Sequence, residues 1–559
     1  MPTYLNDLNR RAFLKQLAGT GSAALMLTAP SLFSSRAWAA QESVVEIVSG
    51  KLRGSRIAGV HGFLGVRYGE STAGLNRFMP PQKAKPWTGV RDAQWYGNSA
   101  PQTNPSSTER RAATEVGALI FDKDGEPPPE SEDCLFLNVW TAGVGDNKKR
   151  PVMFWLHGGG FETGSDSNAR FIGDNLARRG DIVVVGINHR LGALGYTHLG
   201  DLGDPAFARA TDVGMLDAIL ALQWVHDNIE RFGGDPNQVT IFGQSGGGQK
   251  VSMLLGSPLA KGLFHRAIVQ SGPGIRFVER ARATEIAGML LSELGLNAKR
   301  LRDAQTLPVE QMLKAQYAVN AKLMRTPGIA DGFSPVLDPQ VLPVHPFEPQ
   351  ATSLSADIPL LIGGTKTEMT AFVGADTAAF SLDEAGLKAR VEKLLGSQNA
   401  QNVIDAYRRE TPDATPSDLY FYIATDNMMT LRNTALADRH AALRKAATYM
   451  YRFDWQTPVL GGRLRTPHSL DLPFVFDNVQ VSPGYSGGGG PDAAALAARV
   501  SEAWIAFART GNPNTPKSGL PDWPAYDSDR RPAMLLNNTS RVAYDVAGIL
   551  RKLARSGSG

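Results

Sequence analysis

The chain has 559 residues, of which 42% are apolar and 20% are charged, a balance typical of a globular protein and not of a disordered, collagenous or coiled-coil chain. The formal net charge is only +4, too small an excess for the basic surface that a nucleic-acid-binding protein needs. The single cysteine, Cys134, excludes an intrachain disulfide and a zinc site built mainly from thiolates. A large enzyme or a binding protein remains.

The first residues have the features of an export signal. Asn9–Lys15 resembles the twin-arginine motif of bacterial signal peptides, Leu17–Leu27 is an apolar run, and Ala37–Ala39 offers a small-residue cleavage site. We expect removal of residues 1–39, which lowers the net charge to about +1. The rest is expected to be periplasmic or secreted and not to insert stably into a membrane, because no second apolar run is long enough to span one.

The length alone would allow about three or four domains, but neither a repeat nor a long linker divides the chain. We therefore predict a single domain over residues 40–555 and a flexible tail at 556–559. The segments Val44–Val48 and Arg56–Val60 alternate in polarity and are punctuated by glycines. They predict strands at an antiparallel edge.

Residues 97–133 are rich in Pro, Ser, Thr, Glu and Asp and predict a long surface loop. After it, buried-strand patterns alternate with helical periods, which indicates an α/β fold with a mainly parallel sheet covered by helices. Residues 276–350 and 377–446 are mostly helical and predict a cap. The predicted strands are Pro151–Leu156, Asp181–Ile187, Val239–Phe242, Arg266–Val269, Ile358–Ile362, Met450–Trp455 and Phe474–Val481, and two of the predicted helices are Gly214–Arg231 and Ala493–Arg509.

Two segments match the pattern G-x-S-x-G, one around Ser245 and one around Ser486. Ser245 follows the predicted strand Val239–Phe242 and precedes a helical stretch. A strand, a sharp turn and a helix in that order expose a nucleophilic hydroxyl. Ser486 lies next to four consecutive glycines in a segment, 483–491, that predicts a flexible loop. Ser245 is therefore the predicted nucleophile.

The run His157-Gly158-Gly159-Gly160 follows the predicted strand that ends at Leu156. This is the position of the HGGG motif that supplies backbone donors to the oxyanion of esterases and lipases. Three residues without side chains allow backbone N–H groups to converge on one point. His157 is interpreted as structural rather than catalytic.

A serine nucleophile of this kind needs a base, and in this architecture the base is a histidine that follows the acid in the chain. His440 and His468 lie well after Ser245. His440 stands in a charged helical run, where we expect a solvated side chain. His468 lies in an irregular segment after the predicted strand Met450–Trp455, where a loop can carry a base over the sheet edge. His468 is the predicted base.

The acid should lie on a loop after a buried strand. Glu368 follows the predicted strand that ends at Ile362, and its carboxylate would hold the imidazole tautomer and stabilise the imidazolium. Asp331 and Asp338 remain alternatives, although neither follows an equally clear strand.

Beyond these motifs, the sequence resembles the type-B carboxylesterase family, the α/β-hydrolases related to cholinesterases. The resemblance implies an α/β-hydrolase fold with helical cap insertions and a triad of Ser245, Glu368 and His468. It also implies oxyanion donors from Gly159, Gly160 and Gly246, a small-molecule ester as substrate, an acyl-enzyme intermediate, and neither cofactor nor metal. The segments that carry it are Glu132–Trp140, His157–Phe161, Asn188–Gly192, Phe232–Pro236, Lys366–Glu368, His468–Phe476 and Phe507–Pro513.

Four positions depart from the family pattern. Gln244 stands where the family usually has Glu, which removes a negative charge beside the reaction centre and speaks against a preference for cationic substrates. Gly246 replaces a more usual Ala, and Met369 replaces a usual Gly. The family's early disulfide would pair Cys134, but Ala100 occupies the position of its partner. We therefore expect the intervening loop to be mobile.

Two alternatives to ester hydrolysis stay open. The same triad could act mainly on amide, carbamate or polyester bonds. The second alternative is not an enzyme but a non-catalytic binding protein with the same fold. The presence of all three triad candidates disfavours it. A metallohydrolase is disfavoured because the sequence has no H-E-x-x-H motif.

Overall fold

The structure, a computed structural model, describes residues 41–102, 128–323 and 332–556. Three sequence-based predictions fall outside the described residues: the signal peptide, the mobility of the loop after residue 102, and Asp331 as an alternative acid. The last helix ends at Ser556, so the predicted tail also lies almost wholly beyond the described part.

The described strands form one large sheet. They are β1 Gln41–Ile47, β2 Gly50–Ile57, β3 Val60–Arg67, β4 Val90–Asp92, β5 Phe136–Thr141, β6 Arg150–Leu156, β7 Val183–Ile187, β8 Gly234–Gln244, β9 Arg266–Gln270, β10 Leu360–Thr365, β11 Thr448–Phe453, β12 Pro532–Leu536 and β13 Arg541–Tyr544. Their order is β1-β2-β3-β5-β7-β6-β8-β9-β10-β11-β12-β13, and β4 pairs with β2. The run from β7 to β12 is parallel, whereas both edges are antiparallel.

Helices cover both faces of the sheet, so the predicted α/β class is confirmed. They are α1 Asp174–Gly180, α2 Gly192–Tyr196, α3 Val213–Asn228, α4 Gly246–Gly256, α5 Arg280–Glu293, α6 Val309–Leu323, α7 Met369–Phe372, α8 Glu384–Leu395, α9 Ser397–Glu410, α10 Pro416–Thr425, α11 Leu431–Ala441, α12 Leu472–Val475, α13 Pro483–Ser486, α14 Pro491–Thr510 and α15 Gly548–Ser556. Short 3-10 turns connect several of them.

The core consists of two apolar layers, one on each face of the sheet. In β6, Phe154 and Leu156 point into the layer that includes α3, whereas Met153 and Trp155 point into the layer that includes α14. Every residue of β6 is buried, as expected for a central parallel strand that is covered on both faces. Hydrophobic burial on both faces therefore holds this strand in the middle of the molecule.

A smaller apolar cluster lies in the cap, where α8, α9 and α10 pack together. Leu387, Val403 and Ile423 belong to it, one from each helix. The helical character predicted for residues 377–446 is thus confirmed. Among the described residues, no helix combines the length and the apolar character needed to cross a bilayer.

Two of the predicted strands are wrong. Arg56–Val60 contains a hairpin turn, in which Ala58 and Gly59 have φ angles of 50° and 85°, between β2 and β3. Phe474–Val481 is helical: it contains the end of α12 and a 3-10 turn at Val479–Val481. Four of its five apolar residues, Phe474, Val475, Phe476 and Val479, are buried, so the pattern contains no period from which a helix could be read.

Two further predictions are wrong: a solvated side chain at His440 and a flexible loop around Ser486. His440 is buried on α11, where its ring nitrogen Nδ1 lies 2.8 Å from the hydroxyl of Thr448. Ser486 ends α13 and is buried, with its hydroxyl bonded to backbone carbonyls. In both cases the polar or small neighbours along the chain conceal a face that packs against the core. Of the predicted helical segment 276–350, the part up to Leu323 is mostly helical, whereas 332–350 consists of turns and isolated bridges. The remaining predicted strands and helices are confirmed, with ends that shift by a few residues.

The parallel run brings four loops to one edge of the sheet. β6, β8, β10 and β11 point in the same direction, so their carboxyl ends lie together. Loops at such an edge form the usual binding crevice of α/β folds. The segments that begin at His157, Ser245, Lys366 and Asp454 all start there.

A buried ion pair ties α3 to the loop after β7. The guanidinium of Arg190 donates to both carboxylate oxygens of Asp217 at 2.6 and 2.8 Å, and both side chains are buried. We predict that Asp217→Asn destabilises the protein by about 3–5 kcal/mol, because it leaves a buried cation unpaired. Urea-induced unfolding measures the change.

The matched control is Asp303→Asn, which removes the partner of Arg300 in an exposed ion pair. Its expected cost is below about 1 kcal/mol. Equal costs for the two substitutions would contradict the assigned role of the buried pair.

Candidate active site

Ser245 occupies a strained turn between β8 and α4. Its φ and ψ angles are 59° and −125°, a region that residues with a side chain rarely adopt. The backbone N–H of Ser245 donates to the carbonyl of Gln270 at 2.8 Å, which anchors the turn to the end of β9. A Cβ added at Gly247 would lie 2.0 Å from the carbonyl of Leu156. Glycine therefore allows α4 to start directly against β6.

The glycine-rich loop after β6 lies against this turn. Gly159 and Gly160 have φ angles of 91° and 64°, which suit glycine. A Cβ at Gly246 would lie 2.1 Å from the carbonyl oxygen of Gly160, and one at Gly158 would lie 3.3 Å from the Cβ of Ser245. The N–H groups of Gly159 and Gly160 donate to no other described residue, so they are available to a bound group.

The predicted acid and base are in contact. Oε2 of Glu368 lies 2.5 Å from Nδ1 of His468, and the carboxylate is completely buried. Its other oxygen accepts hydrogen bonds from the hydroxyl of Ser271 at 2.6 Å and from the N–H of Thr365 at 2.7 Å. A carboxylate with this partner holds the proton of the imidazole on Nδ1, which leaves the lone pair on Nε2.

Two further contacts set the position of the histidine. Thr367 and Thr466 exchange two hydrogen bonds, at 2.9 and 3.3 Å, which join the loops after β10 and β11. The ring of Phe372 packs on the ring of His468 with centroids 4.8 Å apart. Phe372 is 55% exposed, so the same ring also presents an apolar surface beside the histidine.

Nε2 of His468 faces the turn that carries the predicted nucleophile. The amide nitrogen of Gln244, the residue before Ser245, lies 3.1 Å from it and donates to the lone pair. Among the described residues, no hydrogen bond joins the hydroxyl of Ser245 to His468. The structure therefore brings the predicted base next to the turn that carries Ser245, with Gln244 as the donor to Nε2. In ligand-free enzymes, the hydrogen bond between a serine and its base is commonly long and tightens only when substrate is bound.

Sequence reasoning missed two groups behind the acid and the base. Ser271 follows β9 at the same sheet edge, and that position was a usable signal. Asp471 is buried and accepts hydrogen bonds from Gln270 at 2.9 Å and from Tyr451 at 2.7 Å; burial raises its pKa. These bonds fasten the segment after His468 to β9 and β11, and no sequence signal marked them.

Asp338, the other alternative for the acid, has a different role. Asp338 accepts hydrogen bonds from the N–H groups of Gln340 and Val341 and thereby closes a surface turn. It makes no hydrogen bond to a histidine in the described part of the chain.

Cys134 is a free, buried thiol, and burial raises its pKa.

His157 and His189 form a buried stack beneath the glycine-rich loop. Their rings are nearly parallel, with centroids 4.8 Å apart, and their Nδ1 atoms lie 2.8 Å from the carbonyls of Gly158 and Arg190. Burial, with a smaller effect of the nearby Lys250, lowers the pKa of His157 to about 3 and that of His189 well below its ordinary value. Both rings are therefore neutral in the folded protein, which fits the structural role assigned to His157.

The fold and this site together define an enzyme of the α/β-hydrolase class. The model of the Carboxylesterase family matches residues 41–549. The chain is 35% identical to para-nitrobenzyl esterase of Bacillus subtilis (strain 168), over 90% of this chain and 96% of the relative. It is 34% identical to phenmedipham hydrolase of Pseudarthrobacter oxydans, over 92% of this chain and 97% of the relative.

A solved carboxylesterase of Geobacillus stearothermophilus superimposes with a TM-score of 0.75 at 37% identity and covers 91% of this chain and 99% of its own. The chain belongs to the carboxylesterase family and is a carboxylesterase. The predicted α/β-hydrolase fold is thereby confirmed, and the alternative of a non-catalytic binding protein is set aside.

The neutral stack predicts a loss of stability in acid. Unfolded histidines bind a proton near pH 6.5, whereas the folded His157 does so only near pH 3. The unfolded chain therefore binds more protons below about pH 6.5, and stability falls as the pH decreases from there towards 3. We expect His189→Phe, which keeps a flat ring, to reduce this slope by about 1.4 kcal/mol per pH unit between about pH 6 and pH 4.

Urea-induced unfolding at pH 7, 6, 5 and 4 tests this expectation. His226→Gln is the control, because His226 is exposed on α3 and should leave the slope unchanged. If His189→Phe has the same slope as the unaltered protein, the stack does not titrate on unfolding.

Proposed function

We propose that the protein hydrolyses small-molecule carboxylic esters through an acyl-enzyme on Ser245, with His468 as base and Glu368 as acid. The observation that carries the proposal is the buried contact between Glu368 and His468 at the sheet edge where the strained Ser245 turn lies. A carboxylate–imidazole pair within reach of a serine hydroxyl is the arrangement that activates a serine.

In the first half of the proposed reaction, the Ser245 hydroxyl attacks the ester carbonyl and its proton passes to Nε2 of His468. For this transfer, the Gln244 amide must stop donating to the lone pair of Nε2, so that the serine hydroxyl can donate to it instead. Glu368 stabilises the imidazolium that forms. The N–H groups of Gly159, Gly160 and Gly246 receive the negative oxygen of the tetrahedral intermediate, where fixed donors lower the barrier most.

In the second half, the imidazolium returns its proton to the departing alcohol oxygen, and an ester bond joins the acyl group to Ser245. Water then attacks this ester with His468 as base, the bond from the acyl carbon to the Ser245 oxygen breaks, and the imidazolium returns the proton to that oxygen as the carboxylic acid product leaves. The buried Ser271 and Asp471 keep the acid and base loops in place and do not contact the substrate.

We expect Ser245→Ala to lower kcat for 4-nitrophenyl acetate by about a thousandfold or more, because the nucleophile is lost. Ser486→Ala is the matched control, since Ser486 is the other serine in a G-x-S-x-G sequence and its hydroxyl only binds backbone carbonyls. It should keep its kcat. A phosphonate probe, located by peptide mass spectrometry, should modify Ser245 alone, and full turnover by Ser245→Ala would refute the mechanism.

Carbamate hydrolysis is the second candidate, favoured by the similarity to the relative named phenmedipham hydrolase. We expect a larger kcat/KM for 4-nitrophenyl acetate than for the matching N-methylcarbamate, because nitrogen donation makes the carbamate carbonyl less electrophilic. Initial-rate measurements on this pair, which shares one leaving group, give the comparison. An equal or higher value for the carbamate would reverse the assignment. A neutral substrate is favoured in either case, since uncharged Gln244 contacts the base.

We also propose that the chain is exported as a folded protein. The support is the order of the twin-arginine motif around Arg10 and Arg11, the apolar run, and the cleavage site that ends at Ala39. The single cysteine agrees with this route, because a protein that folds before export needs no disulfide formed outside.

A further inference from the structure

Lys250 is a completely buried lysine on α4, five residues after the proposed nucleophile. No carboxylate lies within ion-pair distance of its ammonium among the described residues. Its Nζ donates to the carbonyl of His157 at 3.0 Å and to the carbonyl of Gly160 at 2.9 Å. It also lies 5.4 Å from the ring centroid of Phe161. A buried charge without an opposite charge is costly, so this placement requires a reason.

The two bonds flank the proposed oxyanion donors. The N–H of Gly159 belongs to the peptide group that begins at Gly158, and the N–H of Gly160 belongs to the next one. Lys250 binds the peptide group immediately before these two and the peptide group immediately after them. A single ammonium therefore fixes both ends of the segment that carries the donors.

The other two carbonyls of the loop are fixed as well. The carbonyl of Gly158 lies 2.8 Å from Nδ1 of His157, and that of Gly159 accepts the N–H of Thr163 at 3.0 Å. Every carbonyl of residues 157–160 is thus bound within the protein, whereas the N–H groups of Gly159 and Gly160 donate to no other described residue. Rotation of any one of these peptide groups would break one of these bonds.

Gly246 makes the contact with Lys250 sterically possible. A Cβ at position 246 would lie 2.1 Å from the carbonyl oxygen of Gly160 and 2.4 Å from its Cα. The absence of this atom lets the Gly160 carbonyl approach the first turn of α4, where the Lys250 ammonium binds it. Glycine at 246 and lysine at 250 thus act on the same carbonyl from one helix.

We propose that Lys250 is a positioning residue of the ester hydrolysis: it holds the carbonyls of His157 and Gly160 and thereby keeps the N–H groups of Gly159 and Gly160 directed at the oxyanion. This inference rests on the proposed function of the site. The ammonium acts through the loop and does not touch the substrate.

The charge of Lys250 adds to this effect. Burial lowers its pKa to about 7, and the titratable rings that face it, His157 and His189, are neutral. When protonated, Lys250 places a positive charge at the carbonyl ends of the flanking peptide groups, which polarises them in the direction that favours a nearby anion.

The test replaces the ammonium and measures affinity for an oxyanion. Lys250→Met keeps the length of the chain but has neither charge nor donor. We expect kcat for 4-nitrophenyl acetate to fall about 10- to 100-fold with little change in KM. Ki for a trifluoromethyl ketone, which adds to the serine as a tetrahedral oxyanion, should rise in the same proportion. Ki for the matching methyl ketone, which binds without forming the adduct, should stay the same.

Two further variants separate positioning from folding. Lys250→Gln is shorter and neutral but retains N–H donors, so it should recover part of the trifluoromethyl ketone affinity. Ser252→Ala, on the same helix, removes a buried hydroxyl that binds the carbonyl of Gly248; it should leave both ketone affinities unchanged. Circular dichroism confirms that each variant is folded at the assay temperature.

If neither Lys250 variant folds, the unaltered protein provides the measurement. In protein labelled with 15N-lysine, the ammonium resonance that titrates near neutral pH should shift when the trifluoromethyl ketone binds and not when the methyl ketone binds. An unshifted resonance, or a folded Lys250 variant with unchanged trifluoromethyl ketone affinity, overturns the inference. Failure of the proposed function would instead appear as activity in Ser245→Ala.

Discussion

The parallel direction of the central strands is the constraint on which the site depends. β6, β8, β10 and β11 run side by side or one strand apart, so the segments that follow them meet without any long excursion of the chain. This arrangement requires burial on both faces of the sheet, which β6 satisfies along its whole length. The hydrophobic layers therefore do more than stabilise the fold, because they place four loops within reach of each other.

The same constraint explains which parts of the site could be predicted from the sequence. Ser245, Glu368 and His468 each follow a strand that the residue pattern marks, and the rule that parallel strands end at one edge places them together. Lys250 and Asp471 could not be found in this way, because nothing local distinguishes a buried polar side chain from an exposed one. His440 shows the converse error, since its charged neighbours predict exposure although the ring is buried. Periodicity also failed for Phe474–Val481, where the burial of four apolar residues within six positions removes the helical pattern.

The region beneath the glycine-rich loop contains several ionisable groups and little negative charge. His157 and His189 are neutral and stacked, and Lys250 binds carbonyl oxygens instead of a carboxylate. A carboxylate at this place would neutralise the ammonium and oppose a developing oxyanion above it. Burying an ammonium without a carboxylate costs free energy, and the dipoles of the backbone carbonyls that bind it partly offset that cost. Such an environment favours a transition state with more negative charge than the ground state.

Gln244 has a related effect beside the proposed nucleophile. A carboxylate at this position, where the Gln244 amide lies 3.1 Å from Nε2 of His468, would add negative charge beside the proposed base and oppose a developing oxyanion. The neutral amide of Gln244 donates to Nε2 of His468 instead and adds no charge beside the imidazole. Gln244, which replaces the family's usual Glu, and the ammonium of Lys250 thus both make the local charge less negative. In the proposed mechanism, a neutral ester becomes an anion only in the transition state, and both features lower the negative charge that surrounds it there.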